Sequence, residues 1–218
     1  MSSSPTVKAA LFDLDGTLLD SMWVWNRVDE LFFERHGIEM PADYPASISG
    51  MSYMATAEYT RTRFALSKSA AEIAAEWTRD SAREYAEHVK LKPGSAEFLD
   101  KLRARGLRLC VVTASRRELY APCLARNGIL DSFEFVLTTD EAGGGSKLDG
   151  RIYRMAAERL GVEPGKCMVF EDAREGILGA KRLGMQAYCI IDPHSTHGLD
   201  EIKSVADGWC EVITDLNI

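Results

Sequence analysis

The sequence predicts an open α/β fold in which helices pack against a parallel sheet and a long helical segment follows the first strand. Five short apolar runs, bounded by polar or glycine residues, have the composition of buried strands: "VKAALFDL", "LRLCVVTA", "FEFVLTT", "KCMVFED" and "QAYCIID". Helical patterns separate most of these runs. Strands that alternate with helices are typical of right-handed βαβ units and therefore of a parallel sheet.

Three segments between the strands have an apolar face and end at a glycine. The segment "SAEFLDKLRARG" places Phe98, Leu99 and Leu102 on one face and ends with Gly106. The segments "IYRMAAERLG" and "EGILGAKRLG" repeat this pattern. All three are predicted to be helices that cover the sheet.

A different pattern occupies residues 20–90, which contain no convincing strand. The stretch "KSAAEIAAEWTRDSAREYAEHVK" is rich in Ala and Glu and has its apolar residues at helical spacing. The stretch "DSMWVWNRVDELFFERHG" predicts an earlier helix with Asp20 or Ser21 as its N-cap. We therefore predict a helical domain over 20–90, inserted into a sheet domain formed by 1–19 and 91–218.

The charge and the apolar stretches of the sequence indicate which kinds of binding partner are not expected. The formal net charge is −7 and no Lys/Arg cluster resembles a phosphate-backbone footprint, so a nucleic-acid partner is not expected. Neither a secretory signal nor an apolar stretch of membrane-spanning length is visible, which predicts a cytoplasmic protein without a membrane partner. The five cysteines form no CxxC motif. Cys110, Cys167 and Cys189 lie in apolar runs and are interpreted as small buried hydrophobes.

The stretch "ALFDLDGTLLDS" places Asp13 and Asp15 where the first strand should end. Open α/β sheets bind their ligands at the carboxyl ends of strands. The two-residue spacing would place both side chains on one face of a regular strand, and their mutual repulsion would be relieved by a divalent cation. Gly16 and Thr17 then turn the chain and offer backbone N–H groups to an anion. An Asx turn or a helix N-cap is the structural alternative.

Polar residues also follow later strands. They are Thr113 after "CVV", Lys147 in the loop "GGGSKLDG", and Glu171 and Asp172 at the end of "VFED". Singly, each has an ordinary structural explanation as a turn, surface charge or helix cap. Together they provide a carboxylate nucleophile, a proton donor, two ligands for phosphoryl oxygens and acids for a hard cation, as phosphoryl transfer requires. His194 and His197 lack a third metal ligand and are interpreted as loop residues.

These motifs resemble the haloacid dehalogenase superfamily over nearly the whole chain. "DLDGT" resembles its first motif, Thr113 its second, Lys147 its third and "FEDAREGILGAKRLGM" its fourth. The helical insertion is similar to the small cap of the subfamily that contains β-phosphoglucomutase and phosphoglycolate phosphatase. The resemblance implies a Rossmann-like, doubly wound parallel sheet core with an inserted all-helical cap domain.

The resemblance also assigns roles to matching residues. It implies Asp13 as nucleophile, Asp15 as general acid and base, and Lys147 as the third catalytic residue. It implies that Mg²⁺ is held by Asp13, the backbone carbonyl of Asp15, and Asp172, with Glu171 either a direct ligand or a partner of one. The residues implied to contact the phosphoryl group or the substrate are Thr17, Thr113, Ala114, Ser115, Arg116 and Lys147.

The expected activity is hydrolysis of a small phosphorylated metabolite by a monomer or weak dimer. Thr17 favours a phosphatase, because sugar phosphomutases of the subfamily often carry Val at this position. Leu148 stands where Pro commonly follows the motif-three lysine, and Arg116 is alternatively a solvated residue at a helix start. The alternatives are a mutase of the β-phosphoglucomutase type, a phospho-accepting receiver-like module and an inactive scaffold.

Overall fold

The structure is a computed structural model that describes residues 6–216 and residue 218. These residues form two compact units. The first unit combines the residues up to Met22 with those from Lys90 onward, and the second runs from Trp23 to Val89. The second unit is therefore one uninterrupted segment inserted into the first.

Strands and helices alternate through most of the first unit. The strands are β1 (Ala9–Phe12), β2 (Leu19–Asp20), β3 (Lys90–Leu91), β4 (Arg108–Thr113), β5 (Val136–Thr138), β6 (Cys167–Glu171), β7 (Gln186–Ile190) and β8 (Gly208–Cys210). The α-helices are α1 (Val24–Arg35), α2 (Tyr44–Ile48), α3 (Tyr53–Arg63), α4 (Ala70–Glu87), α5 (Ser95–Ala104), α6 (Arg117–Arg126), α7 (Arg151–Leu160), α8 (Arg174–Arg182) and α9 (Leu199–Val205). None of the described helices combines the length and apolar character needed to cross a membrane.

Six strands form one parallel sheet in the order β5-β4-β1-β6-β7-β8. The five strands predicted from the apolar runs are all present, and β8 is an additional edge strand. Strand β1 lies inside the sheet, and strands from later in the chain lie on both sides of it. This arrangement creates a topological switch point next to β1, where open α/β sheets bind ligands.

Helices cover both faces of the sheet, which confirms the predicted doubly wound fold. Leu11 of β1 belongs to an apolar cluster that includes Ile152 of α7. The next residue, Phe12, lies on the opposite face. Its ring centroid is 4.7 Å from that of Phe170 and 6.4 Å from that of Phe98 in α5. Alternate residues of one strand thus contribute to two apolar layers.

The second unit contains only helices among its regular elements, as predicted. Helix α4 packs against α1 and α3, and the rings of Phe32 and Trp77 meet edge to face at 5.6 Å. A capping box starts α4: the Ser69 side chain accepts a hydrogen bond from Glu72 N, and the Glu72 carboxylate accepts one from Ser69 N. Tertiary packing and local capping therefore stabilise the same helix.

The predicted N-cap of the first helix is wrong. Helix α1 begins at Val24, and the residue before it, Trp23, makes no side-chain capping hydrogen bond. Asp20 belongs to β2, which pairs with β3 in an antiparallel two-residue ladder and keeps the chain extended. Ser21 instead donates a hydrogen bond to Asp15 at 2.7 Å. Pairing with a distant strand thus overrides the local capping preference.

All five cysteines are buried and free, which confirms the interpretation of Cys110, Cys167 and Cys189 as buried hydrophobes. Burial raises the pKa of Cys167 to about 11 and that of Cys189 to about 12. Their thiols therefore stay protonated at neutral pH and contribute through packing.

Candidate active site

Strand register brings residues from distant parts of the chain to one edge of the sheet. In that register Asp13 is level with Glu171 at the end of β6, and Thr113 ends β4 on the other side of β1. Asp13 N donates a hydrogen bond to the carbonyl oxygen of Phe170 at 3.0 Å. The predicted site residues on these strands therefore share the carboxyl edge of the sheet.

The two aspartates of the first motif, Asp13 and Asp15, are followed by a tight turn at Gly16. Asp13 is buried, whereas Asp15 is half-buried and accepts the hydrogen bond from Ser21. Gly16 has a φ of +80°, and a Cβ at this position would overlap the carboxylate of Asp172. Only glycine allows both the left-handed turn and this close approach.

Three buried carboxylates form a cluster at this edge. One oxygen from each of Asp13, Glu171 and Asp172 lies within 4.8 Å of the others. Burial, followed by the charge of Glu171, raises the pKa of Asp172 to about 7. The pKa of Asp13 is also raised, first by burial, although the charge of Lys147 opposes the shift. An all-oxygen donor set with this excess of negative charge fits a hard divalent cation.

Lys147 provides the positive charge among these acids. Its Nζ donates hydrogen bonds to Asp13 Oδ1 and Glu171 Oε1, both at 2.5 Å. Burial alone would lower the pKa of Lys147, but the two carboxylates outweigh it and the pKa is raised. The lysine begins a short 3-10 helix, Lys147–Asp149, in which Ser146 Oγ accepts a hydrogen bond from Leu148 N at 3.1 Å. The loop therefore places the Lys147 ammonium group at the acidic cluster, although the next residue is Leu148 and not the Pro that is common at this position in the family.

Glu171 has both carboxylate oxygens occupied by protein donors. The four donors are Lys147 Nζ at 2.5 Å, Tyr153 OH at 3.0 Å, Asp172 N at 3.1 Å and Ala173 N at 3.0 Å. A Cβ at Gly176, in the first turn of α8, would overlap the Glu171 side chain. These contacts hold the Glu171 carboxylate in one orientation, in contact with Lys147.

Tyr153 is a site residue that the sequence did not reveal. Its side chain is fully buried in α7, and burial followed by the charge of Glu171 raises the pKa of its hydroxyl. Along the sequence it lies among the core residues of an amphipathic helix. Only the packing of α7 against β1 and β4 shows that its hydroxyl contacts Glu171.

The last residue of β4 and the residues that follow it form a separate group of hydrogen-bonding atoms. Thr113 Oγ1 accepts a hydrogen bond from Ser115 N at 2.9 Å, and both side chains are buried. The hydroxyl of Ser115 has no hydrogen-bond partner among the described residues. Ala114 and Arg116 are exposed, and Arg116 is the N-cap of α6.

Two further residues support the site from outside the predicted set. Lys92 Nζ donates hydrogen bonds to Gly16 O at 2.8 Å and to Asp192 Oδ2 at 3.0 Å, which links the turn to the segment after β7. In that segment Ser195 Oγ donates a hydrogen bond to Asp172. The sequence patterns assigned no role to Lys92. Thr17 Oγ1 lies 3.5 Å from an oxygen of Asp13 and 3.5 Å from one of Asp172.

The sequence matches one family of known enzymes. The model of the haloacid dehalogenase-like hydrolases matches residues 7–184. The chain therefore belongs to the haloacid dehalogenase-like hydrolase family, as the motifs predicted, and the prediction of an enzyme of this family is confirmed.

Individual relatives extend over almost the whole chain. Validoxylamine A 7′-phosphate phosphatase of Streptomyces hygroscopicus subsp. limoneus is 33% identical over 206 residues, covering 94% of this chain and 95% of that protein. Hexitol phosphatase A of Escherichia coli strain K12 is 32% identical over 202 residues, covering 91% and 89%. The structure of CbbY from Rhodobacter sphaeroides in complex with phosphate has a TM-score of 0.76 at 22% identity and 97% coverage of both chains. This structural likeness confirms the fold.

Proposed function

We propose that this protein is a Mg²⁺-dependent phosphatase that hydrolyses a small phosphomonoester through a phosphoryl group carried on Asp13. The observation that carries the proposal is the contact of Lys147 with Asp13 inside a buried cluster of acids. Two relatives that cover most of the chain bear phosphatase names, which supports the same activity. Asp13, Asp15, Lys147 and Asp172 are the residues proposed to perform it.

The first step transfers the phosphoryl group to the protein. A carboxylate oxygen of Asp13 attacks phosphorus, a new P–O bond forms, and the bond to the leaving alcohol breaks. Asp15 donates a proton to the departing oxygen. The hydrogen bond from Ser21 holds the Asp15 side chain in place, while its partial exposure leaves it accessible to a substrate.

The second step returns Asp13 to its starting state. Asp15, now a carboxylate, takes a proton from a water molecule as that water attacks phosphorus. The bond between phosphorus and Asp13 breaks, and inorganic phosphate leaves. Thr17 of the "DLDGT" motif favours hydrolysis over transfer, because related sugar phosphomutases often carry Val at this position.

Asp13, the backbone carbonyl of Asp15 and Asp172 would hold Mg²⁺. When bound, the ion neutralises negative charge on the phosphoryl oxygens and on the crowded acids. Glu171 would act as a positioning residue, since its oxygens already accept four hydrogen bonds within the protein. Lys147 would stabilise the phosphoryl group electrostatically.

Thr113 at the end of β4 and the residues that follow it would bind the phosphoryl oxygens. Thr113 and Ser115 carry buried hydroxyls at the same sheet edge, and the Ser115 hydroxyl has no competing partner among the described residues. The backbone at Ala114 and the side chain of Arg116 would complete this group. Two hydroxyls and a lysine would provide donors for the charge that develops in the transition state.

Phosphate release is the direct test. We would assay hexitol phosphates, sugar phosphates and a nucleoside monophosphate with Mg²⁺ and with EDTA, using Asp13→Asn and the exposed Asp100→Asn as a matched pair. We expect release that requires Mg²⁺, persists in Asp100→Asn and is lost in Asp13→Asn. Activity that survives in Asp13→Asn would exclude this nucleophile, and sugar-phosphate isomerisation without net release would favour a mutase.

Hydroxylamine trapping tests the intermediate itself. An acyl phosphate on Asp13 reacts with hydroxylamine to give a hydroxamate, which mass spectrometry locates within the tryptic peptide 9–27. We expect this modification only when substrate and Mg²⁺ are both present. A hydroxamate on Asp15, or none during rapid turnover, would contradict the proposed step.

A further inference from the structure

Lys92 is a largely buried lysine to which the proposed chemistry assigns no role. Its side chain is 11% exposed, and its Nζ donates hydrogen bonds to Gly16 O at 2.8 Å, Ile191 O at 3.2 Å and Asp192 Oδ2 at 3.0 Å. Asp192 is itself buried, so the two side chains form an ion pair that is shielded from solvent. The three acceptors match the three protons of an ammonium group.

The short ladder between β2 and β3 places Lys92 beside the Gly16 turn. Leu19 pairs with Leu91, and the next residue, Lys92, donates a hydrogen bond from its backbone N to Leu18 O at 2.8 Å. Gly16 N donates to Leu19 O at 3.0 Å, and Gly16 O accepts from Lys92 Nζ. The ammonium group therefore fixes the peptide plane that follows Gly16. Because the backbone of Lys92 is held independently, a side-chain variant tests the ammonium contacts alone.

The segment after β7 leads from the ion pair to the cluster of acids. Asp192 Oδ1 accepts a hydrogen bond from His194 N at 2.9 Å, and Asp192 O accepts one from Ser195 N at 3.0 Å. These two bonds close a tight turn. At its end, Ser195 Oγ donates a hydrogen bond to Asp172 Oδ2. The turn therefore fixes the Ser195 hydroxyl relative to the Lys92 ion pair.

The bond from Ser195 makes the two oxygens of Asp172 different. Oδ2 accepts this bond, and it is also the atom that a Cβ at Gly16 would overlap. Among the described residues, the only protein donor to Oδ1 is the Thr17 hydroxyl at 3.5 Å, a distance at which a hydrogen bond is weak. Ser195 and the Gly16 turn thus confine the Asp172 side chain, while Oδ1 stays available to a cation.

We propose that Lys92 and Ser195 are positioning residues that hold the Gly16 turn and the Asp172 carboxylate in the arrangement that binds Mg²⁺. The closed chain of contacts consists of Lys92, Asp192, Ser195, Asp172 and Gly16. Removing a residue that orients a metal ligand typically costs roughly 10–100-fold in metal affinity. The inference rests on the proposed function for the placement of Mg²⁺ at Asp172, but it does not require turnover.

Removing the Ser195 hydroxyl tests its contact with Asp172. In calorimetric titrations of the full-length protein with Mg²⁺, Ser195→Ala should bind about tenfold more weakly than the natural protein. Ser195→Thr, which keeps a hydroxyl, should bind more tightly than Ser195→Ala. The control is Ser204→Ala, because the exposed Ser204 donates its hydrogen bond to Glu201 O at 2.7 Å. Equal affinities of Ser195→Ala and Ser204→Ala would overturn the role of Ser195.

A pair of Lys92 variants separates positioning from charge balance. Lys92→Met leaves the buried Asp192 carboxylate without its partner, so it should lower the urea midpoint of unfolding. The double variant Lys92→Met/Asp192→Asn has the natural net charge, and its amide oxygen can keep the hydrogen bond of the turn. It should regain most of the midpoint but bind Mg²⁺ about tenfold more weakly, because Gly16 O still lacks its donor.

Lys181→Met is the control for these variants, because it breaks a partly exposed ion pair, that of Lys181 with Asp207 at 2.7 Å. It should leave the Mg²⁺ affinity unchanged. A double variant of Lys92 and Asp192 that binds Mg²⁺ as tightly as Lys181→Met would show that the lysine only balances a buried charge. A natural protein that binds no Mg²⁺ would overturn the inference as a whole.

Turnover separates this inference from the proposed function. In Ser195→Ala the Mg²⁺ concentration for half-maximal phosphate release should rise about tenfold, with kcat at saturating Mg²⁺ nearly unchanged. Phosphatase activity with natural Mg²⁺ affinity in the Ser195 and Lys92 variants would refute the positioning roles and leave the phosphatase. Weakened Mg²⁺ binding in these variants of a protein that releases no phosphate would refute the phosphatase and leave the positioning roles.

Discussion

The Nζ atom of Lys147 lies 2.5 Å from Oδ1 of Asp13, a residue 134 positions earlier in the chain. The same ammonium group contacts a second buried carboxylate, so one positive charge is shared between two acids. The arrangement leaves negative charge in excess, which is why the site depends on this lysine before any cation or substrate binds.

Replacing Lys147 with Met should reduce kcat by at least about a thousandfold. It should also lower the free energy of unfolding by about 3 kcal/mol at neutral pH, since buried carboxylates lose their partner. Without the lysine, the pKa of Asp13 in the folded variant rises further, so the folded variant binds more protons than the unfolded variant does. The loss in free energy of unfolding, relative to the natural protein, should therefore grow as the pH rises above about 4. Urea unfolding from pH 4 to pH 8 measures this, with the exposed Lys101→Met as control. A loss independent of pH would contradict the charge argument.

Removing the hydroxyl of Tyr153 should disturb the site without unfolding the protein. In Tyr153→Phe one donor to Glu171 is lost, and we expect kcat/KM to fall about tenfold and the free energy of unfolding to fall by about 1 kcal/mol. Tyr188→Phe is the matched control, because its hydroxyl bonds Gln186 at 3.2 Å, away from the acids. Equal kinetics for the two variants would show that Tyr153 only fills space.

The carboxyl of Asp29 should cost the helical unit stability at neutral pH. Burial raises its pKa from 3.8 to about 6, so between these values the folded state holds a proton that the unfolded state releases. Stability from this group is therefore lost as pH rises from about 4 to about 6. Asp29→Asn should be more stable than the natural protein by about 1 kcal/mol at pH 8, discounted for partial exposure, and equal to it below about pH 4. Thermal unfolding of both proteins across this range measures the difference, and a variant less stable at pH 8 would refute it.

Gly16 offers a test that separates backbone strain from a local overlap. Gly16 and Gly106 have φ values of +80° and +79°, but only at Gly16 would a Cβ meet another group, the Asp172 carboxylate. Both alanine variants should lose about 1 kcal/mol of stability through the left-handed backbone. Only Gly16→Ala should also weaken Mg²⁺ binding, about tenfold or more, because Asp172 must move. Calorimetric titration with Mg²⁺ distinguishes them, and equal affinities would place Asp172 outside the metal site.

The central strands were predictable because each is a short apolar run whose ends are marked by polar residues. Asp13 and Glu171 could be placed near one another for the same reason, since parallel strands end at a common edge. β8 escaped prediction because three residues that include Gly208 carry little strand signal.

Other features depend on contacts that a sequence pattern does not carry. Tyr153 lies among core positions of α7, and only the helix's rotation and packing bring its hydroxyl to Glu171. Lys92 contacts Gly16 across 76 positions of the chain. The predicted N-cap at Asp20 was wrong for the same reason, because pairing of β2 with the distant strand β3 determines the backbone conformation of Asp20.

The short ladder between β2 and β3 holds the two ends of the inserted segment side by side, through pairs such as Leu19 with Leu91. Evolution can therefore exchange everything between these ends, as long as the replacement begins and finishes at neighbouring points, without re-threading the sheet. A chain built in this way can change its helical unit by recombination within one gene segment. The buried acids Asp13, Glu171 and Asp172, which are encoded on either side of that segment, are inherited unchanged.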